Sequence, residues 1–181
     1  MRTTAYIAAF ILATAVTLAS GTLSFGLEKK LFDAAGVQVL DEKAPEFVLA
    51  GKGGSLKLED LRGSVVLLHI WATWCSPCRK EFPQFERIYK RYANKGFALV
   101  PVAIDKGIGR DELKAKAVEL GASFPVYLAS EGSITDRYWT WGVPETYFID
   151  KLGRIRARAI GPRNWSSEGV NELIEALINE K

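Results

Sequence analysis

Sulfur is scarce in this sequence. Its 181 residues include two cysteines and one methionine. A small domain held together by disulfides needs several cysteine pairs, so that class of scaffold is excluded. Both cysteines, Cys75 and Cys78, fall within one short window, which indicates chemistry rather than architecture.

Histidine is scarcer still, since His69 is the only one. A structural zinc site takes four protein ligands, and two cysteines with one histidine cannot supply them. The formal net charge is only +3, and lysine and arginine are scattered without a basic stripe. Neither a metal nor a nucleic-acid partner is therefore expected, whereas a hydrophobic fraction of 48% is enough for one packed domain.

Charge is missing altogether from Ala5 to Leu27, a stretch of 23 residues. A helix of that length can cross the hydrocarbon core of a bilayer. A signal peptide removed after export and a buried helix of a soluble domain are the alternatives, and the flanking lysines and arginines do not decide the orientation. We expect residues 1–27 to be a signal anchor or signal peptide, residues 28–43 a connector and residues 44–181 one folded domain.

Strand and helix patterns alternate through this domain. A continuous apolar run from Val65 to Trp71 predicts a buried parallel strand. Pro101 falls inside another strand, where its missing N–H requires a bulge or a neighbour that does not need that donor. The order predicts an α/β fold with a mixed central sheet and helices on both faces. The other elements expected are strands at Glu46–Leu49, Ser55–Leu58, Phe97–Ile104, Phe124–Leu128, Thr146–Ile149 and Arg154–Ile160, and helices after the cysteines, at Arg110–Leu120, around Ile134–Trp139 and after Ser167.

Redox chemistry is predicted at the point where the buried strand leads into a helix. The first turn of a helix presents unpaired N–H groups and the positive end of its dipole. In such a setting the pKa of a thiol falls from about 8.5 to about 3.5–7.5. We expect Cys75, at the exposed end, to attack a disulfide and Cys78, one turn deeper, to resolve the mixed disulfide. Pro77 suits the helix start, because the N–H it lacks has no partner there.

Four motifs extend this pattern from about Ala44 to the C-terminus. Together they resemble the membrane-anchored, extracytoplasmic thioredoxin-like reductases of the TlpA/ResA group, with the cytochrome c maturation thioredoxins as near relatives. The resemblance implies a thioredoxin-like fold with an N-terminal strand extension. It also implies a protein-disulfide reductase that has a redox-active cysteine pair and no other cofactor. The motifs are Ala44–Leu49, Leu58–Gly63, Trp74–Pro83 and Gly142–Asp150.

The same resemblance implies where the protein acts and on what. Its catalytic domain would lie on the periplasmic side of the inner membrane, held by a single span, or would be soluble in the periplasm if the N-terminal segment is cleaved. Electrons would pass from a membrane thiol carrier into the disulfides of protein substrates. Apocytochrome c would be among them, since the Pro144–Thr146 run is similar to that of the cytochrome c maturation thioredoxins.

Pro144 is the second functional element that the resemblance implies, because the group places a cis-proline opposite its cysteines. A cis bond would turn the backbone of Val143 outward, where an extended substrate can pair with it as an added strand. The alternative is a trans proline that begins an ordinary strand. Trp74 and Glu145 are further candidates for substrate contact, and a plain surface charge is the alternative for Glu145.

Two titratable residues are candidates for moving the proton of Cys78. Glu81 follows it by three residues on the same helix face, although the helix dipole also favours an acidic residue there. His69 lies on the strand beneath the cysteines, where thioredoxin carries a buried acid, and a neutral imidazole can accept a proton near neutral pH. The alternative for His69 is a buried core histidine whose hydrogen bonds are made within the fold and which takes no part in the reaction. We expect Glu81 to have the larger effect.

The direction of the reaction depends on what lies between the sulfurs. Ser76 and Pro77 bring no cation, so the thiolate is less stabilised and the couple more reducing than in relatives with a histidine there. A disulfide oxidase or isomerase on the same scaffold is the first rival, and a reduction potential separates the two. The second rival is a copper or haem chaperone that uses the two cysteines and His69 as ligands, which would bind Cu(I) without disulfide turnover.

Overall fold

The computed structural model describes residues 29–51, 54–129 and 134–180. At its centre is a six-stranded sheet in the order β1-β8-β7-β4-β5-β6, and β2 and β3 form a separate hairpin. In chain order the elements are α1 (described residues 29–35), β1 (Gln38–Lys43), β2 (Val48–Gly51), β3 (Gly54–Lys57), a 3₁₀ turn (Leu58–Leu61), β4 (Val65–Trp71), α2 (Ser76–Tyr92), β5 (Phe97–Ala103), α3 (Arg110–Glu119), β6 (Tyr127–Leu128), β7 (Glu145–Ile149), β8 (Arg154–Ile160) and α4 (Glu168–Asn179).

Strand β4 lies in the middle of the sheet, and all of its residues are buried. Strand β5 runs parallel to it on one side, and β7 runs antiparallel on the other. β6 extends the parallel side, whereas β8 and β1 extend the antiparallel side. The sheet is therefore mixed, as predicted, and the strands predicted at Val65–Trp71 and Arg154–Ile160 are confirmed to the residue.

Two hydrophobic clusters cover the two faces of the sheet. The four helices in the described residues all contribute to the first cluster, through Phe32, Phe82, Leu113 and Leu173 among others. The second cluster is closed by the β2–β3 hairpin, the 3₁₀ turn and a turn at residues 135–139. The described part of the chain thus differs from the expected arrangement of helices on both faces.

The short helix expected around Ile134–Trp139 accounts for that difference. Its residues form a turn, in which the N–H of Tyr138 donates to the carbonyl of Ile134 at 3.0 Å. Helix nucleation is unfavourable unless several further residues propagate the helix, and Gly142 and Pro144 follow too closely for that. Ile134 and Tyr138 are nevertheless fully buried.

The expected connector at residues 28–43 is also corrected, as far as the structure describes it. Strand β1 pairs antiparallel with β8 and forms the edge of the main sheet. Ahead of it, Phe32, Ala35 and Val37 are buried in the first cluster. The folded domain therefore includes the described chain from Lys29 onward. The sequence pattern did not predict β1, because an edge strand with exposed side chains shows little alternation of apolar and polar residues.

Pro101 sits in β5 without a bulge, since its register with β4 is continuous through His69. The carbonyl of Ala103 accepts from Ala129 on the side of β6. Because backbone groups point the same way at every second residue, the nitrogen of Pro101 faces that side too. Pairing with β6 begins only at Val102, so the missing N–H leaves no ladder bond unmade.

Among the described residues, no helix is long and apolar enough to span a bilayer. The expected anchor or signal peptide, residues 1–27, lies outside the described residues.

Candidate active site

Cys75 and Cys78 lie where the buried strand β4 gives way to helix α2. Cys75 is the N-cap of the helix, and its Sγ accepts a hydrogen bond from the backbone N–H of Cys78 at 3.2 Å. The two residues are joined as a disulfide, with a Cα–Cα distance of 5.3 Å. Cys75 keeps 5% of its surface exposed, whereas Cys78 is fully buried. The pair therefore has an outer and an inner sulfur.

The turn before Cys75 is held by an acidic residue that the sequence analysis missed. The carboxylate of Asp105 accepts from the backbone N–H of Thr73 at 2.9 Å and also from its hydroxyl. Asp105 follows β5, the parallel neighbour of β4, so the two strands end at the same edge of the sheet. An acidic residue directly after a buried strand was the available signal. This bond fixes the turn that carries Trp74, which is 67% exposed beside Cys75.

A proline loop lies at the same edge. The peptide bond between Val143 and Pro144 is cis, as the resemblance implied. Strand β7 begins at Glu145, which pairs with Ile70 near the end of β4. This register brings Pro144 beside the end of the strand that leads to the cysteines. Val143 is half-buried and packs against both hydrophobic clusters.

Glu81 is buried on the inner face of α2, with 2% of its surface exposed. Its Oε1 accepts two hydrogen bonds, from the backbone N–H of Arg163 at 3.1 Å and from the indole N–H of Trp165 at 2.6 Å. Its Oε2 has no hydrogen-bond partner in the described part of the chain. Burial raises the pKa of Glu81, and the two hydrogen bonds offset part of that rise.

His69 is fully buried on β4 and packs against the ring of Phe85. Its Nδ1 lies 2.9 Å from the hydroxyl oxygen of Thr146 on β7. Its Nε2 lies 4.0 Å from Oε2 of Glu81 and has no hydrogen-bond partner within residues 29–51, 54–129 and 134–180. Burial lowers the pKa of His69 to about 3, so the imidazole is neutral. An ion pair without a direct hydrogen bond does not compensate for the desolvation of two charges.

Glu145, in contrast, does not join the site. It lies on the face of β7 that also carries Tyr147, whose side chain belongs to the second cluster, while the cysteines belong to the first. With 3% exposure, its carboxylate accepts from the hydroxyl of Tyr147 at 2.7 Å and lies 3.5 Å from the guanidinium of Arg158. The expected substrate contact is corrected to a buried structural role, because side chains alternate along the strand.

In the described ranges of the chain, no three histidine, cysteine or acidic side chains are grouped to hold a metal ion. The two ring nitrogens of His69 face Thr146 and Glu81 rather than the sulfurs. The redox group of this site is the disulfide itself.

A mixed sheet with a redox pair at a helix start and a cis-proline beside it defines the thioredoxin-like class. The sequence pattern of the AhpC/TSA family matches residues 40–158. The thiol-disulfide oxidoreductase ResA of Bacillus anthracis is 31% identical over 162 residues, 89% of each chain. That of Bacillus subtilis is 34% identical over 124 residues, 67% of this chain and 68% of the relative. The chain therefore belongs to the AhpC/TSA family and to the ResA-type thiol–disulfide oxidoreductases.

Solved structures agree with this assignment. A thiol:disulfide interchange protein described as DsbE, from Chlorobium tepidum, has a TM-score of 0.70 and 33% identity, over 78% of this chain and 99% of its own. StoA from Bacillus subtilis has a TM-score of 0.59 and 25% identity, over 73% of this chain and 96% of its own. The predicted thioredoxin-like fold and the predicted thiol–disulfide oxidoreductase activity are both confirmed.

Proposed function

We propose that this oxidoreductase is a protein-disulfide reductase that works outside the cytoplasm, with apocytochrome c among its substrates. The observation that carries the proposal is the unequal burial of the two sulfurs. Cys75 reaches the surface, and Cys78 does not. Dithiol exchange requires one cysteine that meets the substrate and a second that meets only the first.

The reaction transfers two electrons to the substrate. The Cys75 thiolate attacks one sulfur of a substrate disulfide and forms a mixed disulfide, and the other substrate sulfur leaves as a thiolate that takes up a proton. Cys78 then loses its proton and attacks the Cys75 sulfur, which releases the first substrate sulfur and closes the Cys75–Cys78 bond. A membrane thiol carrier would supply the two electrons that return the protein to its dithiol form.

The local charge at Cys75 supports the reducing direction. Its Sγ receives the Cys78 N–H and lies at the positive end of the α2 dipole, which favours the thiolate as attacking group. Ser76 and Pro77 add no cation between the sulfurs. The reduced form is therefore stabilised only moderately, and a less stabilised dithiol is a better electron donor.

Glu81 would take the proton that Cys78 loses. It lies three residues after Cys78 on the same helix, and spacing of three places two side chains on one face. Its Oε2 is free to carry a proton, since both described hydrogen bonds go to Oε1. Burial moves its pKa upward, toward the range in which a carboxylate can exchange protons near neutral pH.

The substrate would dock in an extended form along the backbone of Val143. The cis bond to Pro144 lies just before β7, at the end of the sheet where β4 leads to the cysteines, and pairing of a substrate strand with this backbone would use main-chain hydrogen bonds. Trp74 offers an exposed aromatic surface directly beside Cys75. Such a site suits an unfolded segment such as the C-x-x-C-H haem-attachment motif.

The proposed compartment rests on residues 1–27 and on the substrate chemistry. Within that segment, the 23 uncharged residues from Ala5 to Leu27 fit a membrane anchor. The cysteines of a haem-attachment motif tend to oxidise outside the cytoplasm and must be reduced before haem is linked. A membrane-impermeant thiol reagent should therefore label the reduced domain in intact spheroplasts, and labelling only after lysis would contradict this topology.

Deletion of the gene tests the substrate. Covalently bound haem c should fall, and external dithiothreitol should restore it. Wild-type protein should complement the deletion, whereas Cys75→Ser should not. Normal haem c in the deletion strain, with other extracytoplasmic proteins wrongly oxidised, would indicate a general reductase instead. A reduction potential as oxidising as that of a disulfide oxidase would contradict the reducing direction.

A further inference from the structure

Two buried polar atoms face each other beneath the redox pair, and neither has a hydrogen-bond partner among the residues that the structure describes. They are Nε2 of His69 on β4 and Oε2 of Glu81 on α2, at 4.0 Å. Each residue is almost completely buried, and an unpaired buried polar atom is destabilising. Native interiors rarely leave two such atoms together unless a proton or a small movement connects them.

The other oxygen of Glu81 shows where its proton can reside. Oε1 accepts from two fixed donors, the backbone N–H of Arg163 and the indole N–H of Trp165. Neither donor can turn into an acceptor, so a proton on Oε1 would clash with both. The carboxylic acid proton of Glu81 must therefore lie on Oε2, the oxygen that faces His69.

The imidazole can receive that proton in a hydrogen bond. Burial keeps His69 neutral, and a neutral imidazole has one donor and one acceptor nitrogen. Nδ1 lies 2.9 Å from the hydroxyl of Thr146, which can accept an N–H. With the hydrogen on Nδ1, Nε2 is left as an acceptor aimed at Glu81.

We propose that His69 is a positioning residue for the proton of Glu81, with its Nε2 accepting a hydrogen bond from Oε2–H. The gap of 4.0 Å closes to a hydrogen bond when the two side chains approach by about 1 Å. The imidazole thereby stabilises the protonated carboxyl and raises the pH range over which Glu81 exchanges a proton with Cys78. This inference rests on the proposed role of Glu81 in the reaction.

The other groups around the pair do not replace this contact. From the loop before α4, the Arg163 guanidinium lowers the pKa of Glu81 by its charge, and it also donates to the carbonyl of Gly36. Phe85 contributes only an apolar ring against the imidazole. Cys78, on the same helix, is in a disulfide in the oxidised protein. Burial raises the pKa of Glu81, and among these side chains His69 is the one placed to accept the proton on Oε2.

Two substitutions distinguish the contribution of Nδ1 of His69 from that of Nε2. His69→Asn keeps a polar atom near the position of Nδ1 and loses the one at Nε2, whereas His69→Gln places its terminal amide near Nε2. The protonation of Glu81 is read in the oxidised protein from the infrared carbonyl band of the carboxylic acid, which Glu81→Gln removes. The intensity of this band as a function of pH gives the titration midpoint of Glu81. His69→Asn should lower this midpoint by about one pH unit, and His69→Gln should leave it near the wild-type value.

An unchanged midpoint in His69→Asn, an equal shift in both variants or a shift to higher pH would overturn the proposal. A shift to higher pH would mean that Nε2 donates to the carboxylate. A second measurement needs no variant, because His69 is the only histidine. In untagged protein labelled with ¹⁵N-histidine, Nε2 should be unprotonated below the Glu81 midpoint, and a proton on Nε2 there would overturn the proposal. Neither readout involves thiol exchange, so failure of the catalytic role of Glu81 would be seen separately in its kinetics.

Discussion

Replacing Glu81 by glutamine should slow the resolution of the mixed disulfide while preserving the fold. The amide oxygen can keep the hydrogen bonds from the backbone of Arg163 and the indole of Trp165, and the amide nitrogen takes the position of Oε2. The group that titrates is lost. A positioned acid or base contributes about 10²- to 10⁴-fold to a rate, so we expect resolution to slow by about 100-fold or more. The wild-type rate should rise as the carboxylate forms, at a pH above the ordinary value for glutamate, and this dependence should flatten in the variant.

Stopped-flow measurement of a single turnover gives this rate directly. Reduced protein is mixed with a fluorescent peptide disulfide, and release of the second peptide thiol is followed as a function of pH. Glu86→Gln is the matched control, since it makes the same change on the same helix. Glu86 accepts from the backbone N–H and hydroxyl of Ser123, so this variant should resolve at the wild-type rate. An unchanged rate and pH profile in Glu81→Gln would remove Glu81 from the reaction.

Four further substitutions test the fold by urea denaturation. In the unfolded chain His69 becomes protonated below about pH 6.5, whereas in the folded protein the imidazole stays neutral down to about pH 3, so the free energy of unfolding falls as the pH falls through this range. The wild-type protein should therefore lose about 2 kcal/mol of stability between about pH 8 and pH 5, and His69→Gln should abolish this loss. Parallel curves of stability against pH for the two proteins would contradict this. Tyr147→Phe should destabilise by about 1–3 kcal/mol, because the hydroxyl donates to the carboxylate of Glu145 and to the carbonyl of Tyr138, and both acceptors stay buried without it; no loss would mean that these bonds contribute nothing. Ser167→Ala should cost about 1 kcal/mol, since the serine oxygen caps α4 by accepting from the N–H of Val170, and Ser167→Gly should cost less.

The parts of the fold that the sequence predicted are those with a local cause. The short apolar run from Val65 to Trp71 suits a strand buried on both faces, and the cysteines shortly after it mark a helix start. The last helix was predicted to follow Ser167, and the side chain of this serine caps it by accepting from the N–H of Val170. In each case the residues that decide the structure are neighbours in the chain.

The parts that the sequence did not predict depend on distant residues. Arg163 and Trp165 hold the carboxylate of Glu81 from more than eighty positions away, and no spacing in the sequence connects them. β1 is a strand because β8 offers it an edge, not because Gln38–Lys43 has a strand pattern.

The placement of Glu145 follows from the register of β7 beside β4. His69 faces Thr146 across the two strands, so the next residue toward the N-terminus must point to the other face. Alternation along β7 therefore puts Glu145 with Tyr147 and away from the cysteines. Resemblance to relatives suggested a role for this residue that its position in the strand opposes.

The division of labour between the two sulfurs is tested most directly by trapping. Cys78→Ser leaves the accessible Cys75 to attack a substrate but removes the buried thiol that would release it, so mixed disulfides should accumulate on this variant and be identified by mass spectrometry. Cys75→Ser leaves only a buried thiol and should trap nothing. Equal trapping by both variants, or trapping through Cys78 alone, would contradict the assignment of Cys75 as the nucleophile.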